Sequence, residues 1–374
     1  MTDRVPAGVD EEVEVTKLRA RIGQPYTPMQ HNTVVTRDSI RHYVHGYGDD
    51  NPLYAGEDSP GSRRDDIRAP STYFLTCGFP RSFGLRGFHG LFAGIDLKVS
   101  VPARPGMVIS ASTVMSALDE REGRYAGHAY IQRFQTTYTD QEGTTLATLE
   151  SYAFRTSRTS GSTSKKYAAE TRATYTPEEI ADISAQYLQE AGSRRGSQPL
   201  FAEDLSAGDP IPKIIKGPLT VTDNIAWTIG FGPVYVMAHR RWYRFRNDHP
   251  NAATLDEYGV PDVPERVHWD SDLAQRIGIP APYDYGPQRI AWIEHAVTDW
   301  MGDHGELRRI AVQLRAPNYV GDVTSICGNL TKVERDGDRG VVELALSAVD
   351  QRGRATATGV VELTLPFRRQ VAVS

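Results

Sequence analysis

The order of apolar and polar residues predicts a helix-and-strand series that occurs twice along the chain. In the first series, a short helix at residues 37–45 begins after Thr36 as N-cap. An apolar segment at 71–79 follows, compatible with a short helix or with a buried stretch. Strand patterns then lie at about 88–102, 107–118, 125–138 and 144–154. One helical zone followed by antiparallel strands predicts an α+β fold.

The second series begins after a connecting segment at residues 161–205. A Ser/Thr/Gly-rich stretch opens this linker, and Thr176-Pro177-Glu178-Glu179 predicts one helix within it, with Thr176 as N-cap and Pro177 at the first position. A strongly apolar helix is then predicted at 287–302. Four more strands are predicted at about 306–316, 322–335, 339–349 and 354–366.

Three local matches in the same order indicate an internal duplication. Residues 35–40 match 221–225 at the start of a helix, residues 101–106 match 316–322 between two strands, and residues 138–143 match 349–353 in the turn before a final strand. The predicted domains are therefore 1–160 and 206–374. The second copy carries an insertion at 231–264.

Composition limits the class of protein. The chain has 374 residues, of which 39% are hydrophobic and 24% charged, and a net charge of −5, which gives no support to nucleic-acid binding. No apolar run is long enough to cross a membrane, and the acidic start does not resemble a signal peptide. Cys77 and Cys327 have no neighbouring His or Cys, so we expect free thiols and no zinc site. A cytoplasmic protein that handles a small molecule is the expectation.

The stretch Tyr47-Gly48-Asp49-Asp50-Asn51-Pro52-Leu53-Tyr54 predicts a rigid loop that ends the first helix. Gly48 permits a left-handed backbone, and Pro52 fixes its own φ and restricts the residue before it. The loop would present Asp49, Asn51 and Tyr54 in fixed directions, as functional loops on a firm scaffold do. The alternative is that Asp49 only braces an ordinary turn.

This stretch resembles the hydratase motif of the MaoC-like dehydratases and R-specific enoyl-CoA hydratases, Gly-Asp-x-Asn-Pro-Leu-His, with Tyr54 in the place of the histidine. The N-terminal half is similar to the dehydratase domain of fungal fatty acid synthase. In the second half, Val267-His268-Trp269-Asp270 and Tyr285-Gly286 resemble the family's His-x-Asp…His-Gly run, whereas the Gly-Asp-x-Asn-Pro part is missing beside the 231–264 insertion. The resemblance implies a double hotdog fold, two repeats that each wrap an antiparallel sheet around a long helix.

The resemblance also implies hydration of an enoyl thioester, or its reverse. Asp49 and His268 would share and activate one water, Asn51 would fix the loop, Tyr54 would donate a hydrogen bond, and Asp270 belongs to the same motif. Whether the two half-motifs form one site is open. In the alternative interpretation, Tyr54 is a packed aromatic residue, and His268 and Asp270 form a surface pair.

The backbone around Gly286 is the predicted oxyanion site. A helix N-terminus stabilises negative charge, and Pro287 has no N–H, so the donor would be Gly286, with Tyr285 and Gly48 as further substrate-binding positions. No metal and no cofactor are expected, because the acyl chain would be carried on coenzyme A or an acyl carrier protein. The arginine-rich run at 240–246 would either bind the phosphates of that carrier or lie in solvent.

A homodimer is expected, or a hetero-oligomer with another hotdog protein. A non-catalytic hotdog subunit that binds acyl thioesters stays open, as does an enzyme turned to thioester hydrolysis or to addition or cyclisation, because one fold hosts several chemistries. His295, on an apolar helix face, is expected to be a core histidine.

Overall fold

The computed structural model describes residues 10–55, 67–123, 127–157, 172–232, 235–249, 252–276 and 279–368. Its strands are β1 (Pro25–Tyr26), β2 (Phe88–Val99), β3 (Ser110–Gly123), β4 (Gly127–Thr139), β5 (Thr145–Ser157), β6 (Ile214–Lys216), β7 (Thr254–Leu255), β8 (Pro261–Asp262), β9 (Glu306–Leu314), β10 (Thr324–Asp336), β11 (Arg339–Asp350) and β12 (Ala355–Leu365). Its α-helices are α1 (Glu11–Arg19), α2 (Arg37–Tyr47), α3 (Pro52–Ala55), α4 (Pro177–Ser193), α5 (Val221–Phe231), α6 (His239–Asp248), α7 (Ser271–Arg276) and α8 (Gly286–Met301).

One antiparallel sheet runs through both halves of the chain. Its order is β1-β3-β4-β5-β2-β9-β12-β11-β10-β6, so β2-β5-β4-β3 on one side repeats as β9-β12-β11-β10 on the other. The halves join where β2 pairs with β9, and there Arg309 donates to both carboxylate oxygens of Asp96 at 2.7 and 2.8 Å. The mirrored strand order is the one that a duplicated chain produces.

The two copies differ in their central helix. In the C-terminal copy, α8 is buried along its length from Pro287 to Met301 and packs on the sheet. In the described part of the N-terminal copy, the corresponding place holds only a short 3₁₀ helix, Ser71–Cys77, between Pro70 and Gly78. The expectation of a long helix in each copy therefore holds for one copy only. Proline at one end and a glycine with φ of 129° at the other keep the first segment short.

Helices α2 and α5 are a second matched pair, and they pack against each other. Each begins with a threonine N-cap in a capping box, Thr36 with Ser39 and Thr220 with Asp223. The structural equivalence is thus Thr36 with Thr220, two residues earlier than the sequence match suggested. Gly46 and Gly230 meet at the crossing, where a side chain on Gly46 would lie 3.1 Å from the Gly230 Cα.

The helix predicted after Thr176 is α4, whereas the Ser/Thr/Gly-rich stretch before it lies largely outside the described residues.

Cys77 and Cys327 are both free thiols; Cys77 is buried and Cys327 only partly so. None of the described helices combines the length and apolarity needed to cross a membrane.

Candidate active site

A cavity of about 540 Å³ opens at the N-terminus of α8 and is lined by both copies. Its wall is largely apolar, with Leu75, Leu91 and Phe92 from the first copy and Phe231 and Leu314 from the second. Its polar lining groups include Arg81, Glu265, His268, Tyr285, Gly286, His31 and the Asp284–Arg289 pair. An apolar pocket with a few convergent polar groups is the usual form of a small-molecule site.

His268 ends a 3₁₀ helix, Pro264–His268, at the edge of this pocket. Its Nδ1–H donates to the Tyr283 carbonyl at 2.8 Å, and its ring stacks on Tyr285 with centroids 3.7 Å apart. Burial lowers the pKa of His268 to about 4, although the bond to Tyr283 and the negative charge of Glu265 act in the opposite direction. At neutral pH the ring is therefore uncharged and Nε2 carries a lone pair. This is the state of a general base.

Gly286 is the first residue of α8, and its place in the pocket demands glycine. A Cβ there would lie 2.6 Å from Leu314 Cδ1 and would also overlap the ring of Phe92. No described residue accepts a hydrogen bond from the Gly286 N–H, and the first N–H groups of a helix have no partner within it. This N–H and the helix dipole together can stabilise an oxyanion.

A buried ion pair fixes the chain around this helix start. Arg289 Nε donates to Asp284 Oδ2 at 2.8 Å and Arg289 Nη1 donates to the Thr356 carbonyl at 2.7 Å. Asn318 N–H donates to Asp284 Oδ1 at 3.2 Å. Burial raises the pKa of Asp284, while Arg289 opposes that rise. The sequence did not single out Asp284 or Arg289, whose other partners, Asn318 and Thr356, lie far along the chain.

The other predicted residues lie elsewhere. Asp49 Oδ1 accepts from the Asn51 N–H at 2.9 Å and Oδ2 accepts from the Tyr47 hydroxyl at 3.1 Å. Asp49, Asn51 and Tyr54 are all buried, and Gly48 caps α2 in a left-handed conformation with φ of 72°. None of these four residues lines the pocket.

Asp49 faces His295 of α8 rather than His268. The distance from Asp49 Oδ1 to His295 Nε2 is 3.5 Å. His295 lies nine residues beyond Gly286, which is about 13 Å along the helix at 1.5 Å per residue. The sequence left open whether the two half-motifs form one site. In the structure, Asp49 and His268 lie in separate places. His295 is fully buried, as expected of a core histidine.

Asp49, His295 and Asp299 form the group of described residues best placed to hold a metal ion, with ligand atoms within 4.8 Å of one another. Lys216 Nζ, however, lies 2.8 Å from His295 Nδ1. His295 Nε2 lies 3.3 Å from Asp299 Oδ2 and 3.5 Å from Asp49 Oδ1. Because a lysine already contacts the same ring, the group fits a buried polar network better than a metal site.

Asp270 caps a helix and does not line the pocket. Its Oδ1 accepts from the Leu273 N–H at 2.9 Å at the start of α7, and its Oδ2 lies 3.3 Å from Arg266 Nε. The structure thus brings His268, Tyr285 and Gly286 to one pocket. It also adds Glu265 and Arg81, which the sequence did not single out.

Comparisons with known proteins agree with this architecture. Residues 20–149 match the family described as FAS1-like, dehydratase domain region. No curated protein matches the chain by sequence. A solved structure named MaoC-like dehydratase is 17% identical and covers 94% of this chain and 99% of its own, with a TM-score of 0.59.

Two further solved structures are similar over nearly the whole chain. A MaoC-like dehydratase from Phytophthora capsici is 12% identical and covers 94% of this chain and 99% of its own, with a TM-score of 0.53. A conserved hypothetical protein from Mycobacterium tuberculosis, described as having a double hotdog fold, is also 12% identical; it covers 92% of this chain and 96% of its own, with a TM-score of 0.50. The fold is therefore a double hotdog.

Proposed function

We propose that this chain adds water to, or removes water from, the 2,3 double bond of an enoyl thioester. Its match to the FAS1-like dehydratase domain region and its fold, which it shares with a structure named MaoC-like dehydratase, support the proposal. The observation that carries the proposal is the pairing of an uncharged His268 with the Gly286 N–H in one apolar pocket. A base and an oxyanion donor are the two groups that this reaction requires.

The hydration step follows from those two groups. His268 Nε2 takes a proton from water while the water oxygen bonds to C3. The C2–C3 π electrons move towards the thioester, and the Gly286 N–H stabilises the resulting enolate oxygen. His268 then returns the proton to C2, and an imidazolium in a site that lowers its pKa to about 4 gives up that proton readily.

Steady-state hydration of enoyl-CoA substrates tests this proposal. Purified protein is assayed with crotonyl-CoA and with longer and bulkier 2-enoyl-CoA thioesters. We expect turnover, and a loss of about 10²–10⁴-fold in kcat for His268→Gln, which removes the base. His45→Gln, an exposed position on α2, is the matched control and should retain full activity. A wild-type protein that converts none of these substrates would contradict the proposal.

The arginines of the insertion suggest how the carrier is held. Arg240, Arg241 and Arg244 are exposed on α6, and no described carboxylate pairs with them. The helix is fixed beside the pocket because Phe245 contacts Tyr235, a pocket residue, at a centroid distance of 5.6 Å. We propose that these arginines bind the phosphates of coenzyme A or of an acyl carrier's phosphopantetheine arm, since guanidinium groups suit phosphates.

One observation favours a second candidate, a hotdog subunit that binds acyl thioesters without converting them alone. The aspartate of the hydratase motif, Asp49, does not line the pocket. Binding of a saturated acyl-CoA without turnover, and turnover only after addition of another hotdog chain, would support this candidate. Sedimentation analysis of the purified chain would test the predicted homodimer in the same preparation.

A further inference from the structure

The pocket lacks the motif aspartate, yet it contains another carboxylate. Resting on the proposed function, we infer that Glu265 is the catalytic carboxylate that shares the reacting water with His268. Nothing in the hydratase motif marks this residue, since it lies in the insertion-bearing part of the second copy.

The local helix places both side chains on the same face. Glu265 and His268 are three residues apart in the 3₁₀ helix Pro264–His268. A 3₁₀ helix has three residues per turn, so side chains at i and i+3 lie one above the other. Both residues line the pocket, and the negative charge of Glu265 is one of the smaller influences that raise the pKa of His268 against the larger effect of burial.

Arg81 orients Glu265 and leaves part of the carboxylate available. Arg81 Nη1 donates to Glu265 Oε1, and the Arg81 guanidinium lies over the Tyr235 ring at 4.4 Å from its centroid. No described residue donates a hydrogen bond to the second oxygen, Oε2. A buried carboxylate needs a charged partner, and Arg81 supplies one while Oε2 can accept from a water in the pocket.

The other carboxylates do not suit this role. Among the described residues that line the pocket, the carboxylates are Glu265 and Asp284. Both oxygens of Asp284 accept hydrogen bonds from Arg289 and Asn318. Asp49 is enclosed beside His295. Glu265 is thus the carboxylate with an oxygen left for water.

The step remains balanced with Glu265 included. One O–H bond of water breaks and its proton moves to His268 Nε2, while the oxygen bonds to C3. The second O–H group donates a hydrogen bond to Glu265 Oε2 and stays on the product as the hydroxyl. Glu265 ends the step unchanged, because its negative charge orients the water and stabilises the transient imidazolium.

Variants at Glu265 and Arg81 test the inference. We expect Glu265→Gln to lower kcat at least 100-fold while the Kd for a saturated acyl-CoA stays within about threefold of wild type. Glu257→Gln, an exposed glutamate eight residues earlier, is the matched control and should behave as wild type. Arg81→Gln should lower kcat clearly less than Glu265→Gln does, since it removes only the partner that orients the carboxylate.

The outcomes separate this inference from the proposed function. A wild-type protein without hydratase activity contradicts both. Activity that is lost in His268→Gln but retained in Glu265→Gln overturns the role of Glu265 alone. Equal losses of kcat in Arg81→Gln, Glu265→Gln and the double variant would show that only the ion pair matters. That result would also overturn the role of Glu265.

Discussion

Because Asp49 is buried, we predict that it stabilises the fold and does not take part in catalysis. Asp49 Oδ1 and Oδ2 accept hydrogen bonds from the Asn51 N–H and the Tyr47 hydroxyl, and the carboxylate faces His295 Nε2 at 3.5 Å. Asp49→Asn keeps the size of the side chain but removes its negative charge. It also places an amide NH2 group, itself a donor, where a carboxylate oxygen accepts a hydrogen bond. Hydrogen bonds to charged groups contribute about 1.5–3 kcal/mol, and an uncompensated buried polar group adds to the loss. We expect the free energy of unfolding to fall by about 2–4 kcal/mol.

The measurement pairs urea unfolding with steady-state kinetics on the folded fraction. Asp50→Asn is the matched control, because the Asp50 side chain is 78% exposed and its ion pair with Arg194 should contribute at most about 1 kcal/mol. We expect kcat of Asp49→Asn to stay close to wild type below the unfolding transition. A loss of 100-fold or more in kcat with unchanged unfolding would refute this reasoning and would return Asp49 to the catalytic role that its motif suggested.

The remaining predictions concern the pocket and the exposed arginines of α6. First, kcat/KM should be constant from pH 7 to about 5 and fall as the pH drops through about 4, because protonation of His268 removes the base. Since its folded pKa lies below the ordinary 6.5, the unfolded chain binds the proton first, and stability should also decrease as the pH falls from about 6.5 to 4 in acid unfolding series. Second, Gly286→Ala places a methyl group against pocket side chains, and we expect kcat/KM to fall about 100-fold in initial-rate assays; an unchanged value would contradict the oxyanion position. Third, Arg241→Glu with Arg244→Glu should raise KM for a CoA thioester about tenfold at constant kcat, and less for a pantetheine thioester, which lacks the nucleotide phosphates. Equal effects on both substrates would contradict the phosphate contact.

Much of the fold could be predicted because it depends on local patterns. Alternating apolar residues gave the long strands, and Thr36 and Thr176 marked helix starts through capping residues alone. Gly286 was predictable as well, since Pro287 after a glycine and an apolar run identifies a helix N-terminus. The length of the first central helix was less predictable, because Ser71–Cys77 is apolar whichever form it takes.

The composition of the site depended on contacts that local patterns do not contain. Asp49 matches a functional motif, but its partner His295 lies on α8, and the sequence carries no signal that joins them. Glu265 was detectable in principle, because Pro264 can open a short helix and the spacing to His268 suits a 3₁₀ turn. That spacing has meaning only once the helix type is known. Sequence reasoning singled out His268 and Gly286, which the structure brings to the pocket, but not Glu265.

In the described part of the N-terminal copy, a carboxylate occupies the start of the short helix Ser71–Cys77. The backbone N–H groups of Ser71 and Thr72, at the start of its short helix, donate to the Glu294 carboxylate at 2.6 and 2.8 Å. A carboxylate from α8 therefore occupies the position where an oxyanion would bind in this copy. The next residue, His295, faces Asp49 and encloses the motif loop. Two consecutive residues of the C-terminal helix thus occupy the first copy's equivalent position, so the half-motif of that copy is part of the core.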